Sequence, residues 1–125
     1  RAMGFKPGTT VTKAAAAAAT DDSGANAPFA VTQNGVRAGS ITVTITAGDT
    51  IAANNGFSLG TITCDQVTAT DVIVCNAINC SDVNVALEAT CIGIAAGSNF
   101  KVLVKANSGT AAEGGDTYVL NWTIL

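Results

Sequence analysis

The stretch Ile41-Thr42-Val43-Thr44-Ile45-Thr46 alternates without a break between β-branched apolar and β-branched polar residues. Successive side chains of a β-strand point to opposite faces, and β-branched residues are enriched in strands. The alternation therefore predicts a strand that packs one face against a core and exposes the other to water.

The same period of two continues on both sides of this strand. Before it, residues 29–33 form a strand-like run that leads into Asn34-Gly35, a pair typical of hairpin turns. After it, Asn54-Asn55-Gly56 predicts a turn, and Gly60 predicts a β-bulge within the following strand. Further strands are predicted over residues 57–64, 71–75, 83–94, 100–106 and 117–125, and no segment shows a sustained helical stripe.

Seven to nine short strands with Gly and Asn turns between them predict an all-β fold. We expect a single β-sandwich, immunoglobulin-like or jelly-roll, and the pattern does not choose between the two. The inward faces are predicted to be Ile41, Val43, Ile45, Val83, Val85, Leu87, Phe100, Val102, Val104, Tyr118, Leu120, Trp122 and Ile124.

The first 26 residues differ in composition from the rest. They contain a run of six alanines and a turn-forming Asp-Asp-Ser-Gly cluster at 21–24, which lacks the distal glutamate of a calcium loop. We therefore divide the chain into an N-terminal arm, residues 1–26, and a sandwich domain, residues 27–125. Within the arm, one strand-like segment is the candidate for contact with a neighbouring copy: Thr9, Thr10, Val11, Thr12 and Lys13.

Four cysteines, Cys64, Cys75, Cys80 and Cys91, are spaced symmetrically, with ten residues in each outer gap and four in the inner gap. Structural zinc sites usually bring their ligands in as close pairs, so this spacing favours two disulfides and an oxidising compartment. We expect Cys64 to pair with Cys75 and Cys80 with Cys91, each closing a hairpin-sized loop. The nested alternative pairs Cys64 with Cys91 and Cys75 with Cys80.

Composition excludes several classes of function. Charged residues are 12% of the chain, the net charge is −3, and the six cations are scattered, so no basic patch is available to bind nucleic acid or an anionic membrane. No apolar run is long enough for a membrane-spanning helix. We therefore expect neither nucleic-acid partners nor membrane insertion.

The sequence also gives little support for catalysis by this chain's side chains. The sequence has no histidine, which removes the usual general base near neutral pH. The carboxylates Asp65, Asp71, Asp82 and Glu88 flank predicted turns, where such residues normally cap and solvate. We expect no enzymatic activity, no metal and no cofactor.

Two glycosylation sequons occur, at Asn79-Cys80-Ser81 and Asn121-Trp122-Thr123. If Trp122 faces the core, Asn121 points outward on the same strand. Asn79 and Asn121 are therefore possible carriers of surface glycans.

These features predict a secreted, non-enzymatic structural subunit of an extracellular, self-assembling filament, either pilus-like or another surface fibre. In general style the chain resembles filament subunits in which an N-terminal strand of one copy fills a groove of the next by strand addition. Low charge suits surfaces buried against further copies of the same chain. The alternatives are a virion decoration or capsid-associated protein, and a carbohydrate-binding or adhesive module.

Overall fold

The computed structural model describes residues 17–21, by their backbone, and residues 29–125. In these residues the chain forms strands and turns and no helix, as the sequence predicted. The ten strands are β1 (Ala17–Asp21), β2 (Phe29–Thr32), β3 (Ala38–Ile45), β4 (Thr50–Ile51), β5 (Phe57–Thr63), β6 (Ile73–Ile78), β7 (Leu87–Ala95), β8 (Asn99–Ala106), β9 (Ala112–Glu113) and β10 (Thr117–Ile124).

The strands build two four-stranded sheets with one hydrophobic core between them. The first sheet has the order β1-β3-β10-β6 and the second the order β2-β5-β8-β7, while β4 and β9 form a small separate ribbon. β1 joins β3 and β2 joins β5 in parallel, whereas the other neighbouring pairs are antiparallel. This arrangement agrees with the predicted β-sandwich. β6 and β7 lie at the same side of it, as the last strands of their sheets, and they contact each other.

The alternating faces predicted from the sequence supply most of the core. β3, β8 and β10 each bury every second side chain, and Trp122 of the first sheet meets Phe100 of the second. The predicted core residues confirmed as buried are Ile41, Val43, Ile45, Val85, Phe100, Val102, Val104, Tyr118, Leu120, Trp122 and Ile124, while Leu87 is half-buried.

The prediction for Val83 is wrong, because its side chain is 91% exposed. Asp82 caps a local turn here by accepting a hydrogen bond from the backbone N–H of Asn84 at 2.9 Å, and the N–H of Val85 donates to the Asp82 carbonyl. Because residues 82–85 form this turn, the strand begins only at Leu87.

Asn34-Gly35 forms a turn, with Gly35 at a φ of 77°, but not the predicted hairpin. The strands on either side, β2 and β3, belong to different sheets. The turn is fastened to the loop after β5 instead, because Gly35 N–H donates to Asp65 Oδ1 at 2.8 Å and Asp65 N–H donates to Asn34 Oδ1 at 3.0 Å.

Gly60 is not at a bulge, since its pairing with both neighbouring strands is regular. The ring of Phe29 covers it so closely that a Cβ at this position would lie 2.1 Å from the ring carbon Cζ. Glycine is needed here for the packing of an aromatic ring. The bulge lies on β7 instead, between Cys91 and Gly93.

The four cysteines are free thiols in the structure, so the prediction of two disulfides is not supported. The expected pairings assumed that each ten-residue gap forms a hairpin. Both gaps instead cross between the sheets, from β5 to β6 and from β6 to β7. Cys64, for example, is buried after β5, where its Sγ lies 3.3 Å from the carbonyl oxygen of Val36.

Candidate assembly surface

The side of the sandwich formed by β6 and β7 carries most of the exposed large apolar side chains. The described residues contain seven such side chains, and all except Phe57 lie on β6, on β7, in the segments next to them or at Leu125. Four of them are grouped around β6, and we call this group the β6 surface: Val72, Val74, Ile78 and Leu125.

The alternation of β6 explains this exposure. Ile73, Cys75 and Ala77 turn towards the core, so Val74 and Ile78 must point outward, where they are 53% and 43% exposed. Leu125 joins them because its N–H donates to the carbonyl oxygen of Val72 at 2.9 Å, just beyond the paired part of β10. Val72 and Leu125 are 58% and 46% exposed.

β6 also has few of the features that usually protect an edge strand. It pairs with β10 without a register shift from Ile73 to Ile78, and its sequence Ile-Val-Cys-Asn-Ala-Ile contains no charge, proline or glycine. β7, by contrast, carries Glu88 and a bulge, both of which discourage pairing with another strand. Of these two adjacent edges, β6 is the one suited to accept a further strand.

The carboxylates considered in the sequence analysis form hydrogen bonds or ion pairs with nearby residues. Asp71 accepts from Thr68 N–H at 2.8 Å and lies 3.9 Å from the Arg37 guanidinium, and Asp82 caps the turn described above. Glu88 faces Lys105 across the β7–β8 pair at 3.0 Å, and its pKa is lowered mainly by the hydrogen bond from that ammonium group. These contacts are those of turn and cross-strand residues.

Asp65 is fully exposed, and the N–H of Gly35 is the main cause that lowers the pKa of its carboxyl group. The charge of Asp65 therefore stabilises the link between the two loops at this end of the sandwich. Both loops lie at the end of the sandwich where Arg37 approaches Asp71 and where the carbonyl oxygen of Arg37 accepts a hydrogen bond from the N–H of Ile124.

Two of the cysteines lie on the core side of β6 and β7. Cys75 occupies an inward position on β6 and Cys91 an inward position on β7, and both pack against the core. Burial raises the pKa of Cys75 to about 12, with a further contribution from the negative charge that Cys91 carries when ionised. Burial also raises the pKa of Cys91. The other two, Cys64 and Cys80, are considered with this pair below.

The predicted assembly segment, Thr9 to Lys13, lies outside the described residues, and so does most of the Asp-Asp-Ser-Gly cluster. From the arm the structure describes β1, residues 17–21, which pairs with β3 at the edge of the first sheet opposite β6. The boundary proposed at residue 26 and the role of the segment stay predictions.

The two candidate glycosylation sites differ in environment. Asn79 is exposed at a φ of 55°, directly after β6, and the hydroxyl of its sequon residue Ser81 donates to Asp116 Oδ1. Asn121 is half-buried in the middle of β10, where its amide donates to Asn76 Oδ1 at 3.1 Å. Asn79 is therefore the more accessible of the two to a modifying enzyme.

Within residues 17–21 and 29–125 there is no cluster of three or more acidic or cysteine side chains able to hold a metal ion. The same part of the chain contains no helix with the length and apolarity to cross a membrane. No protein-family model matches the chain, and searches of curated proteins and of solved structures also gave no match.

The β6 surface was not predicted from the sequence. The available signal was Val72-Ile73-Val74, which is apolar at consecutive positions rather than alternating positions. Such a run is usual in a strand covered on both faces. Here one of those faces is open, since Val72 and Val74 are both more than half exposed.

Proposed function

We propose that this chain is a non-enzymatic structural subunit of an extracellular, self-assembling filament. In this proposal the N-terminal arm of one copy adds a strand to β6 of the next copy. The observation that carries it is the β6 surface, four apolar side chains that are about half exposed beside an outer strand without charged residues.

Free energy favours covering this surface. Complete burial of a valine or isoleucine side chain is worth roughly 1.5–3 kcal/mol, so covering the exposed halves of several such side chains would contribute a few kcal/mol. A strand added at the edge would also satisfy backbone N–H and C=O groups of β6 that β10 does not use. Main-chain hydrogen bonds of this kind supply affinity in strand addition, while side chains supply specificity.

The positions of β1 and β6 support a head-to-tail arrangement. They are the two outer strands of the first sheet, so the chain preceding β1 starts from the edge opposite the proposed acceptor. A four-stranded sheet is roughly 15 Å wide, whereas residues 1–16 can extend to about 50 Å. An arm of this length can reach β6 of a neighbouring copy, and repetition of such a heterologous contact produces an open filament unless the contacts close a ring.

The composition of the arm suits this role. Thr9-Thr10-Val11-Thr12 is rich in β-branched residues that favour extended backbone, and Val11 alternates with polar neighbours. A donor strand with this pattern could place Val11 against the apolar side of the acceptor while the threonines remain hydrated. Lys13 ends the segment and is its one charged residue.

Substitutions at the β6 surface test the proposal. The purified full-length chain should form filaments visible by negative-stain electron microscopy, and Val74→Lys should abolish them by placing a charge at the contact. Phe57→Lys is the matched control, because Phe57 is 39% exposed but lies on β5 of the other sheet. Full-length chain that stays monomeric at high concentration, or Val74→Lys protein that still forms filaments, would contradict the proposal. Closed shells would favour a capsid-associated role.

A further inference from the structure

Cys75 and Cys91 lie on β6 and β7, two outer strands that contact each other at one side of the sandwich. β6 and β7 each have a single hydrogen-bonded partner, β10 and β8, and they contact each other across the gap between the sheets. Both thiols occupy inward positions of these strands, and both pack on the same core.

The two residues also lie at a similar height along the strands. Cys75 is opposite Trp122 in the β6–β10 pair, and Trp122 touches Phe100 with ring centroids 5.2 Å apart. On β8, Phe100 is two residues from Val102, which is the partner of Cys91. The register of both sheets and the contact between the rings therefore bring Cys75 and Cys91 to the same part of the sandwich.

We propose that Cys75 and Cys91 form a disulfide under oxidising conditions and thereby link the edges of the two sheets. Neither pairing considered in the sequence analysis includes this bond. A cross-link here would join the acceptor strand β6 to β7 and hold the open side of the sandwich together.

The oxidant is a disulfide, either of a small molecule or of a protein thiol oxidase. The thiolate of one cysteine attacks the oxidant and releases one thiol, giving a mixed disulfide. The second cysteine then attacks that mixed disulfide as its thiolate and releases the second thiol. Two protons and two electrons leave the chain, and the oxidant is reduced to two thiols.

The environment of the two thiols supports this pairing and determines how fast the disulfide forms. The effect of the Cys91 charge on the pKa of Cys75 reflects their closeness, and burial keeps both groups protonated at neutral pH. Because exchange requires the thiolate, the bond should form slowly in the folded chain near neutral pH and faster as the pH rises.

The remaining two cysteines are at opposite ends of the sandwich. Cys64 N–H donates to the Ser98 carbonyl oxygen at the turn between β7 and β8. Cys80 lies next to Ser81, whose N–H donates to the Thr117 carbonyl oxygen at the start of β10. Cys64 lies near Val36, just before the start of β3, whereas Thr117 pairs with Thr44 near the end of β3. The length of β3 therefore separates Cys64 from Cys80, and both should remain thiols.

Peptide mapping of the full-length chain tests the inference. After treatment with oxidised glutathione at mildly alkaline pH, free thiols are blocked and the chain is cleaved before aspartates, which separates Cys64, the Cys75–Cys80 peptide and Cys91 into three fragments. The Cys75–Cys80 fragment should be linked to the Cys91 fragment, with a loss of two hydrogens in total.

Paired variants identify the bonded residues. Cys64→Ala/Cys80→Ala protein should form the intramolecular bond, whereas Cys75→Ala/Cys91→Ala protein should keep two thiols. The oxidised chain should also melt about 10 °C above the reduced chain. A link that includes the Cys64 fragment, or an intramolecular bond in Cys75→Ala/Cys91→Ala protein, would overturn the proposal. So would four unchanged thiols in the wild-type chain, and this wild-type result is decisive even if a variant fails to fold.

Discussion

The indole ring of Trp122 lies edge-to-face against Phe100, with the ring centroids 5.2 Å apart and the ring planes at 62°. The contact joins the two sheets, since Trp122 is on β10 and Phe100 on β8. The indole N–H also donates to Gln33 Oε1 in the buried interior. One side chain thus combines apolar burial, an aromatic pair and a buried hydrogen bond.

We expect Trp122→Ala to lower the free energy of unfolding by about 3–5 kcal/mol, because it leaves a large cavity. Trp122→Phe should cost less, about 1–3 kcal/mol, mainly because Gln33 loses the donor that it accepts from. Urea denaturation measures both effects. Thr44→Ala, on the exposed face of β3, is the control and should change stability by less than about 0.5 kcal/mol. Equal losses for Trp122→Phe and Thr44→Ala would contradict the role assigned to the indole.

Gly60→Ala should destabilise the fold because the new methyl group would collide with the Phe29 ring. Overpacking of this kind typically costs about 1–3 kcal/mol. Gly93→Ala is the matched control, since no atom lies within 4 Å of a Cβ built at Gly93. Because the clash is with the Phe29 ring, Phe29→Leu should recover part of the lost stability in the Gly60→Ala background. Thermal melts of wild type, Gly60→Ala, Phe29→Leu and the double variant decide the point, and additive losses in the double variant would show that the two residues are not coupled.

Asp65 should contribute a pH-dependent increment of stability. Its pKa in the folded chain is below the ordinary value of 3.8, so the contribution is present above that value and is lost as the pH falls through the folded-state pKa. Asp65→Asn keeps an acceptor oxygen but cannot ionise. We expect the stability difference between wild type and Asp65→Asn to be positive near neutral pH and to shrink towards zero in acid. A difference that does not change with pH would rule out the charge as its source.

In the reduced chain, Cys75 should resist alkylation until the fold opens. Its pKa of about 12 leaves very little thiolate at pH 8, whereas the same thiol in unfolded chain has a pKa near 9.0. Iodoacetamide followed by mass spectrometry should therefore modify Cys75 in denaturant but not in native buffer. Above about pH 9 the Cys75 thiol ionises in the unfolded chain but not in the folded chain, which favours unfolding. The stability that this group contributes is therefore lost as the pH rises from about 9 to about 12. Rapid labelling of native Cys75 would show that the site is open.

The sequence was a good guide to which side chains face inward. Strict alternation of large apolar residues identified β3, β8 and β10, because a strand covered on one face requires that pattern. It could not identify strand partners, since a period of two is the same for any neighbour. The turn at Asn34-Gly35 was found, but its crossing between the sheets was not.

The candidate surface and the cysteine pair were missed for a related reason. Spacing along the chain suggested hairpin-sized disulfides, whereas the proposed pair, Cys75 and Cys91, lies on contacting strands of two different sheets. Val74 and Ile78 look like buried strand residues in the sequence, because exposure depends on whether another layer covers β6. Both features arise from tertiary arrangement, which local patterns do not encode.

In the proposed filament, the arm of one copy pairs with β6 of another. Nuclear magnetic resonance of an isotope-labelled chain that lacks residues 1–16, titrated with a synthetic peptide of those residues, would detect this pairing. The shortened chain retains β1 and all the other strands described above. Strand addition at β6 should produce saturable amide shifts concentrated at residues 72–78, and a peptide that carries Val11→Lys should abolish them. Shifts confined to the β1 edge, or no shifts at all, would contradict it.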